Sequence, residues 1–319
     1  MIIKPLQKNP ELKQLEVLMP RLLHREPMFQ QLEHVYGKYT SGFYGESSLA
    51  YPFQLLHLKS AFILYDLRLP CVSDYFQIDA LLLTPRLGII IKAKNFKGEI
   101  TFNQSDQMIR TLDGKKNSYK NPLHQAAIQK RHLESYIMRN GFPFLPIHTL
   151  VSFTHPNVIL QFNQREPDIV DNHHLSLRID ELLQQYQANY YTKEQLKKLA
   201  NKLKNNHTPK TYNVIEKYQI NRSNIRNGVW CPVCKKVIMN RAHGYWICPV
   251  CKVKNREAHI QALKEYALLF GSTITNRQAK AFLQLKSSHI VKRLLANMKL
   301  SYVGKTKGIV YSLLSLLDD

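Results

Sequence analysis

"YFQIDALLLTPRLGIIIKAKN", residues 75–95, holds two apolar runs joined through Pro85, Arg86, Leu87 and Gly88. Proline and glycine at such a joint are hairpin punctuation. Alternate side chains of a strand share a face, so Asp79 shares the face of Gln77. A turn centred near Arg86 then sets Asp79 across from Lys92 to Lys94. Those two lysines would stand side by side at the end of a buried strand, which is unfavourable unless a carboxylate or an anion lies between them. The expected partner is Asp79 or a phosphate. An aspartate on one strand and a lysine on the next also suit phosphodiester chemistry. The carboxylate can hold a hard divalent metal, the metal polarises phosphate, and the ammonium steadies charge or orients water. An ion pair of no catalytic meaning has the same spacing.

Working outward, the pattern predicts a helix from about Glu46 to Leu58 and a strand around Phe62 to Leu67. Two shorter strands follow, turning at Asp113-Gly114. "NPLHQAAIQKRHLESYIMRNG" has helical spacing of its apolar residues, and "FLPIHTLVSFTH" reads as a further strand. Over roughly residues 42–155 this alternation predicts an α/β core with a mixed sheet flanked by helices.

"GFYGESSL", "DYFQIDALLLTPRLGIIIKAKNFKGEI" and "NPLHQAAIQKRHLESYI" together resemble the nuclease-related domain, NERD. That family is placed with the restriction-endonuclease-like nucleases of the PD-(D/E)xK class, and the resemblance covers about residues 38–155. It implies that Glu46 is the helix acid, Asp79 the metal aspartate, Lys94 the motif lysine and Gln125 the downstream helix glutamine. It also implies a Mg²⁺- or Mn²⁺-dependent nuclease. The chain departs from the family pattern at Lys92, where the second metal-binding acid is expected. Two unit charges about 4 Å apart interact by roughly 4 kcal/mol at an effective dielectric of 20, so a lysine there could remove most of the metal affinity. Glu46, Glu99 or a backbone carbonyl could supply the missing ligand, or Lys92 could bind phosphate itself. Two functions follow: a metal-dependent deoxyribonuclease, or a catalytically silent DNA-binding protein.

"VWCPVCKKVIMNRAHGYWICPVCKVKN" carries Cys231, Cys234, Cys248 and Cys251 as two CxxC pairs with thirteen residues between them. Each pair can bite one Zn²⁺ with two thiolates, and together they complete a tetrahedron. The segment resembles a zinc ribbon, expected to be structural and unfolded without metal. Lys235, Lys236, Arg241, Lys252, Lys254 and Arg256 decorate it, interleaved with Trp230, Tyr245 and Trp246. Basic and aromatic side chains together suit nucleic acid, while at least one tryptophan is expected to form the ribbon's small core. Further on, Thr275 and Ser287 or Ser288 can cap two helices, and "SYVGKTKGIVYSL" can form a hairpin. Helix, turn, helix, hairpin resembles a winged helix-turn-helix. His289, Lys292 and Arg293 would face a groove, with Lys305 and Lys307 on the wing against phosphates.

The bulk numbers agree with this order of modules. The net charge is +22, and residues from Thr192 onward hold 24 Lys+Arg against 6 Asp+Glu. A basic half-chain expects a polyanion, nucleic acid before a membrane surface and DNA before RNA. "MIIKPLQKNPELKQLEVLMPRLL" lacks a signal-peptide pattern, so the expected compartment is the cytoplasm. Cys71 is expected to be a buried small apolar residue, and the pair His173-His174 is assigned no role. The expected divisions are a helical lead-in (1–37), a nuclease-related domain (38–160), a helical basic linker (161–227), a zinc ribbon (228–256) and a helix-turn-helix-like module (257–319).

Overall fold

The computed structural model describes residues 1–317 apart from His57, Lys59, Ser73 and residues 163–165, and of Lys307 the backbone alone. The chain forms two compact units: Met1–Asn9 with Gly37–Lys210, and Pro10–Tyr36 with Thr211–Asp319.

The first unit begins with β1 (Ile2–Lys4). The chain then runs through α1 (Pro10–Arg21), which belongs to the second unit, and returns along α2 (Phe29–Ser48). After α3 (Ala50–Leu55) come β2 (Phe62–Pro70), β3 (Tyr75–Leu83), β4 (Gly88–Lys94), β5 (Gly98–Phe102), β6 (Gln107–Leu112) and β7 (Lys115–Lys120). Next are α4 (Pro122–Arg139), β8 (Ile147–Phe153), β9 (Val158–Leu160), β10 (Ile169–Asp171), α5 (Leu175–Gln185) and α6 (Lys193–Asn205). The main sheet has the order β1-β2-β3-β4-β8-β10. Strands β2, β3 and β4 pair antiparallel, and the flanking pairs β1–β2, β4–β8 and β8–β10 are parallel. The 75–95 hairpin is therefore the centre of a mixed sheet. Its turn is closed by Thr84, whose backbone N–H and hydroxyl both donate to the Leu87 carbonyl.

Helices cover both faces. Leu133, Tyr136 and Ile137 of α4 and Leu196, Leu199 and Leu203 of α6 pack on one face; Leu175, Ile179 and Leu182 of α5, with Leu49 and Phe53, pack on the other. A second sheet, β7-β6-β5-β9, turns at Asp113-Gly114, both at positive φ.

The observed division differs from the one expected from composition. Residues 2–4 are not helical lead-in but an edge strand. The stretch expected to be a linker supplies β10, α5 and α6 to the first unit. Its basic residues sit on the outer face of α6 while a leucine stripe is buried, so charge counting hid an ordinary amphipathic helix.

The second unit contains α1, α7 (Val214–Lys217), a three-stranded ribbon of β11 (Asn240–Ala242), β12 (Tyr245–Ile247) and β13 (Lys254–Asn255), then α8 (Ala258–Phe270). After it come β14 (Thr273–Thr275), α9 (Asn276–Phe282), α10 (Ser288–Asn297), β15 (Tyr302–Val303) and β16 (Val310–Ser312). Thr275 starts α9 with a reciprocal capping box to Gln278. Cys231, Cys248 and Trp246 of the ribbon lie in one hydrophobic core with Leu263, Phe282, Val291 and Leu295 of the helices. Ribbon and helices are thus one packed body, not the two separate modules expected.

Candidate functional site

The β3–β4 ladder runs from Leu83↔Gly88 to Ala80↔Ile91. Past that pair the side chain of Asp79 takes over. Its Oδ1 accepts from Lys92 Nζ at 2.7 Å, and its Oδ2 accepts from the Ala93 N–H at 3.0 Å. Asp79 is buried, and the Lys92 side chain is only 18% exposed. Lys94 donates to Gln125 Oε1 on α4 at 3.2 Å. Burial, and then the neighbouring Lys92, push the Lys94 ammonium down to about 8.

Glu46 lies in the last turn of α2, not at the start of a new helix as the sequence pattern suggests. It reaches this place because of the residue before it. A Cβ on Gly45 would stand 2.7 Å from Asn95 Cβ and 2.8 Å from Thr154 Oγ1. Asn95 in turn donates to the Ser41 carbonyl at 2.8 Å. The helix is thus held directly against the end of β4. Burial first, and then the Asp79 carboxylate, push Glu46 up to about 8.

Two further charged groups were missed in the sequence. Asp66 stands across from Asp79, since Tyr65 pairs with Ala80 and Leu67 with Ile78. It has φ +46° in the middle of β2, and it accepts from Gln77 Nε2 at 2.7 Å. Left-handed backbone in a non-glycine strand residue stores strain. Burial raises its pKa against the pull of Lys4. Lys4, buried on β1, donates to the Tyr65 carbonyl at 2.8 Å, and burial lowers its pKa against the fields of Asp66 and Glu46. Asp66 had left a signal. Phe62 and Leu64 share a core face with Leu67 and Leu69, so the period-2 pattern of "FILYDLRLP" slips one step there. A matching slip falls between Ile78 and Leu81. Lys4 left no local signal.

Residues 41–154 match the nuclease-related domain, NERD. No curated protein and no solved structure matches the chain. The NERD segment contains Glu46, Asp66, Asp79, Lys92, Lys94 and Gln125, and the match supports a nuclease-related character for it. Among the described residues, the four cysteines are the one group of three or more His, Cys, Asp or Glu side chains gathered closely enough for an ion. Both Asp79 oxygens are already engaged by β4.

The cysteine cluster does fit a metal such as zinc. The sulfurs of Cys231, Cys234, Cys248 and Cys251 all lie within 4.8 Å of one another, and none is in a disulfide. The two CxxC turns are alike. Lys235 and Lys252 each follow at positive φ and donate back to the carbonyls of Cys231 and Cys248. Trp246 is the core tryptophan, 1% exposed; Trp230 is partly exposed. On α10, Val291, Leu294 and Leu295 face the core while His289, Lys292 and Arg293 are exposed, as is Lys305. The side chain of Lys307 lies outside the described residues. Cys71 is half-buried rather than buried. His174 pairs with Asp171 at 2.8 Å on the surface, which accounts for it without a metal. Among the described residues, no helix is long and apolar enough to cross a membrane.

Proposed function

We propose that the protein is a nucleic-acid-binding protein whose nuclease-related domain grips the phosphodiester backbone without cutting it, and whose basic tail holds DNA. The carrying observation is the 2.7 Å ion pair of Lys92 with Asp79. A divalent cation at Asp79 would have to displace an ammonium and sit beside it, at a cost of several kcal/mol at an effective dielectric of about 20. An ammonium has three donors, so Lys92 and Lys94 each keep N–H groups for phosphate oxygens after their bonds to Asp79 and Gln125. The tail supports the same reading. A structural zinc on the four cysteines would brace the ribbon. The order helix, strand, helix, helix, hairpin suits a winged helix in which α10 presents His289, Lys292 and Arg293 to a major groove and Lys305 meets a phosphate. A helix enters the major groove of DNA and not the deep, narrow one of duplex RNA, which favours DNA.

A second reading, a Mg²⁺- or Mn²⁺-dependent deoxyribonuclease, is favoured by the placing of Glu46, Asp79, Lys94 and Gln125 at the same end of the β3–β4 hairpin. It requires Lys92 to leave Asp79. The test is cleavage of labelled single-stranded, duplex and branched DNA with Mg²⁺ or Mn²⁺ by wild type, Asp79→Ala and Lys92→Glu, alongside binding measured over a range of salt. The proposal expects no cleavage by wild type and a steep fall of affinity with salt. Cleavage by wild type that Asp79→Ala abolishes would establish the nuclease instead.

A further inference from the structure

Beyond Asp66 and Asp79, the β2–β3 hairpin buries one face and shows the other to solvent. Leu67, Leu69, Phe76 and Ile78 lie in one core with the leucines of α4 and α6. The alternate positions are Arg68, Tyr75 and Gln77; Tyr75 is 40% exposed, and Gln77 is exposed. Register pairs Arg68 with Gln77 and Pro70 with Tyr75, so Arg68 and Tyr75 are diagonal neighbours on one face.

These side chains are held in place. The Arg68 guanidinium lies over the Tyr75 ring, 3.7 Å from its centroid, which is face-to-face contact. Its Nη1 donates to the Thr208 carbonyl at 3.1 Å, and the Arg68 backbone N–H donates to His207 Nδ1 at 3.1 Å. Gln77 is fixed twice. Its Nε2 donates to Asp66 Oδ1 at 2.7 Å, and its carbonyl accepts from Gln129 Nε2 at 2.5 Å. Asp66 adopts φ +46° within β2 as it does so. Orienting an exposed amide adds little to stability, so backbone strain at its anchor points to a ligand.

The chemistry of the patch selects that ligand. Asp74 is exposed beside Tyr75 and Asp66 faces Gln77, so this is not a phosphate site. It offers a flat stacked surface and, next to it, an amide with a second N–H and its Oε1 beyond the bond to Asp66. A planar, uncharged group with donors and acceptors on its edge fits both, which is a nucleobase. A base within a duplex keeps its faces stacked, so the occupant is an unpaired one. The patch also adjoins the proposed phosphate grip. Gln77 and Tyr75 lie about 7 and 14 Å along β3 from Asp79, which holds Lys92. Helix α4 ties the two places together, since Gln125 accepts from Lys94 and Gln129, one turn on, holds Gln77.

We propose that Arg68, Tyr75 and Gln77 form a base-binding subsite, in which an unpaired base of a bound DNA stacks on the Arg68–Tyr75 pair and Gln77 hydrogen-bonds its edge. This rests on the nucleic-acid-binding function proposed above, and it makes single-stranded segments the partner of the nuclease-related domain.

The test uses the full-length protein and two DNAs: a duplex with a single-stranded tail, and the same duplex with the tail bases removed and its phosphates kept. Affinity is measured over a range of salt for wild type, Tyr75→Ala, Tyr75→Phe and Gln77→Ala. Wild type should prefer the base-bearing tail about tenfold. Tyr75→Ala should lose that preference with its salt slope unchanged, because stacking neutralises no phosphate. Tyr75→Phe should keep the preference, and Gln77→Ala should narrow it. Equal, salt-sensitive binding of both DNAs by wild type would overturn the subsite and leave nucleic-acid binding standing. A preference that survives in Tyr75→Ala would place base contact elsewhere and overturn it too. Absence of wild-type binding to either DNA would remove the underlying function and the subsite with it. Thermal melting guards against misfolding: a Tyr75→Ala protein that melts well below Tyr75→Phe and loses affinity for both DNAs alike would show a structural ring and overturn the proposal.

Discussion

Asp79 and Lys92 form a pair that is costly to break and cheap to remove. Asp79 is buried and Lys92 nearly so. Lys92→Met would leave a buried carboxylate with one backbone N–H, and should cost about 3 kcal/mol in urea unfolding. Adding Asp79→Asn to it should recover most of that loss, because no charge is then stranded. Equal destabilisation in the double variant would show that packing, not charge, holds this corner. Glu46 gives a pH signature of definite sign. Its folded pKa, about 8, lies above the ordinary 4.5. The folded state therefore holds a proton that the unfolded chain has lost, and stability falls as pH rises from 4.5 toward 8. Glu46→Gln keeps the neutral shape and should remove that fall. The variant should gain on wild type in denaturation midpoint between pH 5 and pH 8, and parallel curves would rule out a buried protonated Glu46. Lys94, with its folded pKa lowered to about 8, acts only above that window and with opposite sign.

At the scale of elements, α2 is the part whose position most depends on one residue. Gly45→Ala drives a Cβ to 2.7 Å from Asn95 Cβ and 2.8 Å from Thr154 Oγ1. It should destabilise by about 1–3 kcal/mol as the helix is levered off β4. Gly42, in the same helix, has open space where its Cβ would be. Gly42→Ala should stabilise by about 0.5–1 kcal/mol. Thermal or urea unfolding of both variants checks the contrast, and the same sign in both would refute the close approach of helix and strand. The hairpin, α4, α9 with its Thr275 cap and the ribbon were all legible, because turn residues, caps and CxxC spacing are local chemistry. The extent of α2 was not. The pattern begins a helix only at about Glu46, whereas in the fold the helix before it holds two glycines, of which Gly42 is merely tolerated and Gly45 permits contact.

At the scale of the molecule, the shared core of ribbon and C-terminal helices sets how the second unit responds to metal. Cys231 and Cys248 are themselves buried in it. Chelating the metal, or Cys248→Ser, should therefore unfold α8, α9 and α10 together with the ribbon, while β2, β3 and β4 keep their protection against hydrogen exchange. Loss confined to the ribbon would mean that the helices have a self-sufficient core. The charge asymmetry acts at this scale too. With 24 basic against 6 acidic residues from Thr192 onward, salt should weaken nucleic-acid binding chiefly through this part of the chain.

By itself the sequence determined the strands and helices whose signals are local, the metal-binding spacing of the cysteines, and a nuclease-related segment with a lysine where an acid is expected. Period and turn chemistry act over a few residues and survive being written in one line. Only the tertiary structure decided that Lys92 neutralises Asp79, that Asp66 and Lys4 join the same corner, and that the basic 161–227 stretch is divided between two units. Those facts depend on strand register and on which apolar faces meet, and burial, not local propensity, fixes both.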